Sequence, residues 1–171
     1  MRSPLLDLPG AVAADGVDGP VAAHHGSFYG EQRTLEGGGG FVDLSHRGVF
    51  TVTGPDRLTF LHSLTTQHLE RLAPGTPTEG LVLSPQGHVE HHFRGADDGE
   101  TFTGHTEPGK AGELVEFLDR MRFMMRVEVA DVTEQLAVMW RPSAELPSGK
   151  YDVVPRADLT RYADAAGPAL D

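Results

Sequence analysis

The run from Val42 to Val89 constrains the fold of this chain more than any other segment. Within it, Gly48–Thr53 alternates apolar and polar side chains, a pattern typical of a half-buried strand. Thr53–Asp56 predicts a helix start, because its proline suits a first helical turn, where the missing N–H is not needed. Leucines at near-helical spacing extend the predicted helix to Pro74-Gly75. Ser84–Gly87 then predicts a hairpin turn, which returns the chain alongside the strand before it.

The rest of the chain continues in the same manner, with short strands, turn signals and a few helices. Asp97–Gly99 predicts a second hairpin turn, and an apolar stripe predicts a helix over Pro108–Met121. The other predicted helices are Ser27–Leu35 and Asp158–Ala165, and the other predicted strands are Phe41–Leu44, Gly80–Leu83, His88–Arg94, Thr101–Thr103, Phe123–Val129, Gln135–Trp140 and Tyr151–Val154. Strands joined by hairpins, with two or three helices packed on a mostly antiparallel sheet, indicate the α+β class.

A break in composition divides the chain near residue 40. Residues 1–40 are rich in small residues, Gly and Pro, and they end in the four glycines Gly37–Gly40, which favour a flexible connection. We therefore predict a flexible N-terminal arm with one short helix over 1–40 and a folded domain over 41–171. The length suits a single domain of ordinary size.

The charge balance restricts the partners. The chain has 14 Lys and Arg against 25 Asp and Glu, a formal net charge of −11, and no cysteine. An acidic surface disfavours nucleic acid and anionic membranes, which both require basic residues. Without cysteine there is no disulfide, thiol nucleophile or cysteine metal site in this sequence. No apolar run is long enough for a membrane span, and we predict a soluble cytoplasmic protein.

Two histidine-containing segments are candidates for chemistry. Strict alternation along the predicted strand would place His88, Glu90 and His92 on one face, which leaves open a metal site or an ordinary polar face. We predict no metal, because the spacing matches no zinc pattern. Asp43, Ser45 and His46 contain the residue types of a hydrolase triad, but adjacent residues of an extended segment point in opposite directions, so we predict no catalytic residue there.

The segment Met121–Arg126 interleaves two arginines with Met and Phe at the end of a predicted helix. It is either the edge of the core, with arginines that reach solvent, or an apolar slot with polar walls. Both readings remain open from the residues alone.

Several short motifs together carry a resemblance to a known family. They are D-x-S-H-x-G at 43–48, V-x-G-x-D at 52–56, F-L-x-x-L-T-T at 60–66, L-x-L-x-x-x-G-x-V at 81–89 and the stretch 118–127. In this order they resemble the folate-binding YgfZ proteins, relatives of the aminomethyltransferase of the glycine cleavage system. The resemblance implies the N-terminal part of a folate-binding fold, a three-part arrangement around a channel for reduced folate. The C-terminal half of that family, with its K-G-C-Y-x-G-Q-E motif, is absent from this sequence.

The resemblance also implies a site. In aminomethyltransferases the strand after G-x-V carries an Asp that contacts the folate, and this position falls here on His91 or His92, of which we choose His92. We expect His92 and Glu90 to supply polar contacts to tetrahydrofolate, and the hairpin 81–89 and the segment 121–125, including Met124, to pack against its rings. The densest basic cluster, Arg120, Arg122 and Arg126, is expected near the glutamate tail.

Three functions follow from this resemblance. The first is a YgfZ-like tetrahydrofolate-binding protein that supports iron–sulfur cluster assembly or repair, with iron–sulfur client proteins as partners. The second is an aminomethyltransferase-like enzyme that uses tetrahydrofolate, which the missing Asp disfavours. The third is a truncated interaction domain without a ligand, with an exposed apolar interface.

Overall fold

The computed structural model describes residues 1–146 and 149–166 and contains two antiparallel sheets, a short strand pair and four α-helices. The helices are α1 (Phe28–Glu36), α2 (Arg57–Leu64), α3 (Ala111–Met121) and α4 (Leu159–Ala166). The strands are β1 (Val12–Ala13), β2 (Ala22–His24), β3 (Val42–Asp43), β4 (Gly48–Thr53), β5 (Thr78–Leu83), β6 (Val89–Asp97), β7 (Thr101–Thr106), β8 (Glu128–Asp131), β9 (Leu136–Arg141) and β10 (Lys150–Pro155). The predicted α+β class is confirmed.

The chain forms two compact units, and the second is inserted in the sequence of the first. Unit 1 contains residues 1–46 and the described residues from 134 onward, and unit 2 contains residues 47–133. This division follows packing and differs from the boundary at residue 40, which rests on composition; the end of the predicted domain, from residue 167, lies outside the described residues. Within the described part of the chain, no helix is both long and apolar enough to cross a bilayer.

Unit 2 is built on a five-stranded antiparallel sheet with the strand order β5-β6-β7-β4-β8. Its core contains three phenylalanines in neighbouring strands, with ring centroids 5.6 Å apart for Phe50 and Phe93 and 5.9 Å apart for Phe93 and Phe102. Gly104 makes this packing possible, because a Cβ at that position would lie 2.6 Å from the ring of Phe50. Leucines of α3 pack on the same face of the sheet, so this face belongs to the hydrophobic core of unit 2.

Helix α2 ends at Leu64, whereas the leucine spacing predicts a helix that continues past Leu72 to the stop at Pro74-Gly75. The backbone turns to an extended conformation at Thr65, and Thr66 exchanges hydrogen bonds with Leu81 of β5. β-branched threonines favour such extended pairing over helix. Leu69 is nevertheless buried in the core of unit 2. The leucine spacing therefore predicts the burial of Leu69 correctly, but the helix that it predicts there is not formed.

The predicted strand over Phe123–Val129 is also wrong for residues 123–127. Residues 122–127 form a turn, with a hydrogen bond from the Met125 N–H to the Arg122 carbonyl, and β8 begins only at Glu128. Phe123 has a φ of 43°, the single positive value at a residue other than glycine among residues 1–146 and 149–166. That conformation is unfavourable for a bulky residue and ends the helix without a glycine.

Unit 1 contains a three-stranded antiparallel sheet of order β10-β9-β3 and the separate β1-β2 pair. Its core joins both ends of its sequence, because Leu5 packs with Met139 of β9 and Leu159 of α4. Ser3 also donates a hydrogen bond of 2.5 Å from its hydroxyl to Asp43. Part of the segment predicted as an arm is therefore built into the core of this unit.

Candidate functional site

A β-bulge in the β5-β6 hairpin decides which histidines reach which face of the sheet. Leu83 is opposite Val89 and Val82 is opposite His91, so Glu90 is an extra residue on β6. The bulge interrupts the strict alternation from which a shared face for His88, Glu90 and His92 was predicted. After it, the ring of His91 lies 5.9 Å from that of Phe117 in α3, on the core side.

His92 lies on the other face, between two carboxylates. Its Nε2 is 2.7 Å from Oε1 of Glu79 on β5, and its Nδ1 is 3.0 Å from Oε1 of Glu107, just after β7. The strand register brings these residues together, because His92 is opposite Leu81, two residues from Glu79. The backbone carbonyl of His92 also accepts a 2.7 Å hydrogen bond from the hydroxyl of Thr106.

Two arginines complete what we call the His92 cluster, defined as Arg47, Glu79, His92, Arg94 and Glu107. The Arg94 Nε is 3.3 Å from Oε2 of Glu79, and the Arg47 Nη2 is 3.3 Å from Oε1 of Glu107. The hydrogen bond from His92, and then Arg94, hold the pKa of Glu79 below its usual range. Burial raises the pKa of Glu107, but hydrogen bonds from His92, Thr106 and the backbone outweigh it and leave that pKa lowered. Both carboxylates are thus ionised acceptors at neutral pH.

His105 lies beside this cluster and has the opposite environment. It is buried on β7, and burial, followed by the positive charges of Arg47 and Arg94, lowers its pKa to about 3. His105 is therefore a neutral imidazole at neutral pH, next to a set of ionised side chains.

Of the residues of the predicted site, His92 alone belongs to the His92 cluster. The contacts described for the His92 side chain involve Glu79 and Glu107, and they include neither Glu90 nor Arg122 nor Met124. Met124 is 96% exposed and Phe123 is 86% exposed, so they form an apolar tip on the turn after α3. Glu79 and Glu107 were not predicted from the sequence, although the hairpin register places Glu79 opposite Arg94.

The arginines predicted near a folate tail each have an acidic neighbour. Arg120 is 2.9 Å from Glu116, Arg122 is 3.3 Å from Asp119, and Arg126 is 2.6 Å from Asp56. The Arg126–Asp56 pair fixes the turn, since the Arg126 backbone N–H also donates to Asp56. The hydrogen bonds from Arg126 lower the pKa of Asp56 to about 2.

The D-x-S-H motif is a structural corner in unit 1. Asp43 accepts hydrogen bonds from the Ser3 hydroxyl and from the Ser45 backbone N–H, while His46 lies 2.8 Å from Asp18. These partners hold the exit from β3 and leave no nucleophile, base and orienting acid in line. Across residues 1–146 and 149–166, no group of three or more His, Asp or Glu side chains could hold a metal ion.

Comparisons with known proteins support an aminomethyltransferase-like relationship. No protein-family model matches the chain. The chain is 31% identical over 170 residues to an aminomethyltransferase from Bordetella petrii. This match covers 95% of the present chain and 40% of the Bordetella protein. A second aminomethyltransferase, from a Nostoc species, is 32% identical over 74 residues, or 43% of this chain and 20% of the relative.

Among solved structures, the aminomethyltransferase T of the glycine cleavage system from Bartonella henselae matches with a TM-score of 0.67. The match covers 96% of this chain and 42% of that one, at 16% identity, and it confirms the predicted aminomethyltransferase-like fold. The chain thus spans about two fifths of the length of the Bordetella petrii aminomethyltransferase. The proteins named here are aminomethyltransferases, so the narrower assignment to the YgfZ proteins stays a prediction.

Proposed function

We propose that this chain is the reduced-folate-binding part of an aminomethyltransferase-like protein, with the His92 cluster at its site. The observation that carries the proposal is the 31% identity to an aminomethyltransferase over 95% of the chain. The His92 cluster adds a local argument, because it is a set of ionisable side chains gathered by the hairpin to which the family resemblance assigns a folate contact.

The side chains of the cluster suit a reduced pterin with a glutamate tail. Tetrahydrofolate carries several ring N–H and amino donors, and the ionised carboxylates of Glu79 and Glu107 are acceptors for such groups. Arg47 and Arg94 are cations that can pair with the tail carboxylates when the ligand displaces their present partners. His92 lies between the two acceptors and orients both of them.

The residue at position 92 bears on the choice between two activities. In aminomethyltransferases, relatives of the YgfZ proteins that the sequence resembles, an Asp at this position assists aminomethyl transfer, and here the residue is His92. We therefore propose folate binding in support of iron–sulfur enzymes as the role, in the cytoplasm, with iron–sulfur proteins as clients. Aminomethyl transfer is the second candidate, favoured by the names of the relatives.

A titration with tetrahydrofolate tests the proposed site. A ligand that binds only the folded chain raises its stability, by about 2.7 kcal/mol at one hundred times its Kd. We expect a saturable thermal shift for the wild type and a weaker one for His92→Ala. His88→Ala is the matched control, because His88 is an exposed histidine of the same hairpin. A shift that is the same in wild type and His92→Ala removes His92 from the site.

Charge reversal separates the two places proposed for the tail. Arg122→Glu tests the cluster on the turn after α3, and Arg94→Glu tests the His92 cluster. Arg71→Glu, at an exposed position outside both, shows the effect of net charge alone. If only Arg94→Glu weakens folate binding beyond the Arg71 control, Arg122 and its neighbour Met124 lie outside the site; if only Arg122→Glu does so, the His92 cluster is not the tail site.

Two assays distinguish the activities. Formation of methylenetetrahydrofolate from an aminomethyl donor would establish the transferase, and its absence in a folate-binding chain would favour the supporting role. In cells that lack the protein, reduced activity of iron–sulfur enzymes, restored by wild type but not by His92→Ala, would support the YgfZ-like role.

A further inference from the structure

Unit 1 contains a cavity of about 630 Å³ whose lining includes no residue of the His92 cluster. Residues of β2, α1, β3 and α4 line it, together with Leu8 and Pro9, so five separate segments contribute to its wall. The volume lies within the range of about 300–1,000 Å³ typical of pockets for small molecules.

One face of helix α1 lines this cavity along the length of the helix. Phe28, Glu31, Gln32 and Leu35 all line it, at the i, i+3, i+4, i+7 spacing of one helix face. None of the nine residues of α1 is buried. A helix this short is marginal by itself, so it needs a packed face for stability. An occupant of the cavity would provide that packing.

The walls combine aromatic surface with a buried histidine nitrogen. Phe28 and Phe41 lie on the lining, and the ring of His24 contacts that of Phe28 edge-on, with centroids 6.3 Å apart. The Nε2 of His25 is buried and has no hydrogen-bond partner among residues 1–146 and 149–166. A buried nitrogen of this kind is costly unless a ligand or water bonds to it.

The charge of the lining is of one sign. The carboxylates of Glu31, Asp43 and Asp164 belong to it, and no lysine or arginine of the described residues does. Asp43 is held by Ser3 and Ser45, while the two backbone N–H bonds that Glu31 accepts, from His25 and Ser27, both go to its Oε1. Such a wall repels anions, including the glutamate tail of a folate.

We propose that this cavity binds a small organic cation with an apolar body, an aryl- or alkylammonium compound. The aromatic rings attract a cation through their faces, Glu31 and Asp164 supply opposite charge, and an ammonium N–H donates to Nε2 of His25. The apolar body packs against Phe41 and the inner stripe of α1. This site is distinct in ligand charge from the His92 cluster.

Three probes of nearly equal size and different charge test the proposal on the intact chain. They are 2-phenylethylammonium, 2-phenylethanol and 3-phenylpropanoate, each titrated by calorimetry. We expect the ammonium compound to bind at least about tenfold more tightly than the carboxylate, since the acidic lining attracts the cation and repels the anion. Equal affinity for the anion, or no binding of the ammonium compound to folded protein, overturns the proposal.

Two variants locate the binding. Glu31→Gln keeps an acceptor for the His25 N–H and removes the charge, and we expect about a fivefold loss of affinity for the ammonium probe. Glu36→Gln makes the same change on the same helix outside the cavity lining and should leave the affinity unaltered. Hydrogen exchange of residues 28–36 should slow when the probe is bound. An equal loss in both variants, or protection confined to unit 2, contradicts this location.

Discussion

The ion pair between Arg57 and Asp97 is the most deeply buried charge pair described in unit 2. The Arg57 Nε and Nη2 lie 2.6 Å and 2.7 Å from the two oxygens of Asp97, whose side chain is 1% exposed. The pair ties the first turn of α2 to the end of β6, and Asp97 also accepts the Gly99 N–H in the hairpin turn. A carboxylate so enclosed depends on these donors for its stability.

We expect Asp97→Ala to lower the free energy of unfolding by about 3–5 kcal/mol, because it leaves the Arg57 charge partly buried without its partner. Denaturation with urea measures the change. Glu116→Ala is the comparison, since Glu116 pairs with Arg120 at 2.9 Å with both side chains largely exposed, and an exposed pair adds little. Similar losses in the two variants would contradict the importance given to burial.

His105 gives unit 2 a specific dependence on pH. Its pKa of about 3 in the folded chain lies below the ordinary value of 6.5, because burial disfavours the charged ring. As the pH falls below about 6.5, His105 therefore becomes protonated in the unfolded chain but stays neutral in the folded chain. The stabilising difference is complete above that pH and is lost progressively toward pH 3.

We expect the free energy of unfolding to fall, through His105, by at most about 1.4 kcal/mol per pH unit between pH 6 and pH 4. His105→Gln should reduce this slope, even if it lowers stability at pH 7, and the difference between the two slopes isolates His105 from the carboxylates. Identical slopes for wild type and variant would show that His105 does not titrate with folding.

At the scale of elements, sequence patterns located most elements and misjudged some of their ends. The amphipathic stripe predicted the start of α3 to within three residues. The prediction succeeds because leucines at helical spacing on one face of α3 pack against the sheet. Leu69 followed the same spacing beyond Leu64 but belongs to an irregular segment, since hydrogen bonds between Thr66 and β5 compete with helix there. Burial could be read from the sequence, whereas this competition depends on a strand fifteen residues away.

The candidate site shows the same limit. His92 was selected by motif position, and the structure gives it partners that no local pattern names. Glu107 reaches His92 only because β6 and β7 pair in a particular register, and Glu90 is removed from the alternation by a bulge. Both effects arise from pairing between strands, which a single sequence does not specify.

The turn before α2 depends on glycine at position 54. Gly54 has a φ of +105°, and a Cβ there would lie 2.2 Å from the carbonyl oxygen of Arg126. We expect Gly54→Ala to destabilise unit 2 by about 3 kcal/mol, from the backbone conformation and the clash together. Gly75→Ala tests the first contribution alone, because Gly75 has a φ of +77° and open space around it. Equal losses, measured by urea denaturation, would rule out the clash.

At the scale of the whole molecule, the two units differ in continuity. Unit 2 is one uninterrupted segment with its own five-stranded sheet and core, whereas unit 1 is assembled from two segments. A contiguous segment with a complete core has the features of an independent folding unit.

We expect a fragment of residues 47–133 to unfold cooperatively in urea, with a midpoint that can be measured by circular dichroism. A fragment of residues 1–46 should not, because β3 pairs with β9 and Leu5 packs on Met139 and Leu159, all supplied by the later segment. A non-cooperative 47–133 fragment would mean that unit 2 needs the rest of the chain.

The insertion of unit 2 also separates the order of synthesis from the order of folding. Residues 1–46 leave the ribosome before unit 2, yet the strand and helix that complete their core begin only at Leu136 and Leu159. At about 5–20 residues per second, the ribosome needs roughly 5 to 20 s to bridge that gap. During this interval Leu5 and Val42 lack the residues against which they pack or pair in the folded chain, while the hairpins of unit 2 can already form. Residues 1–46 are therefore made before unit 2 but complete their core after it.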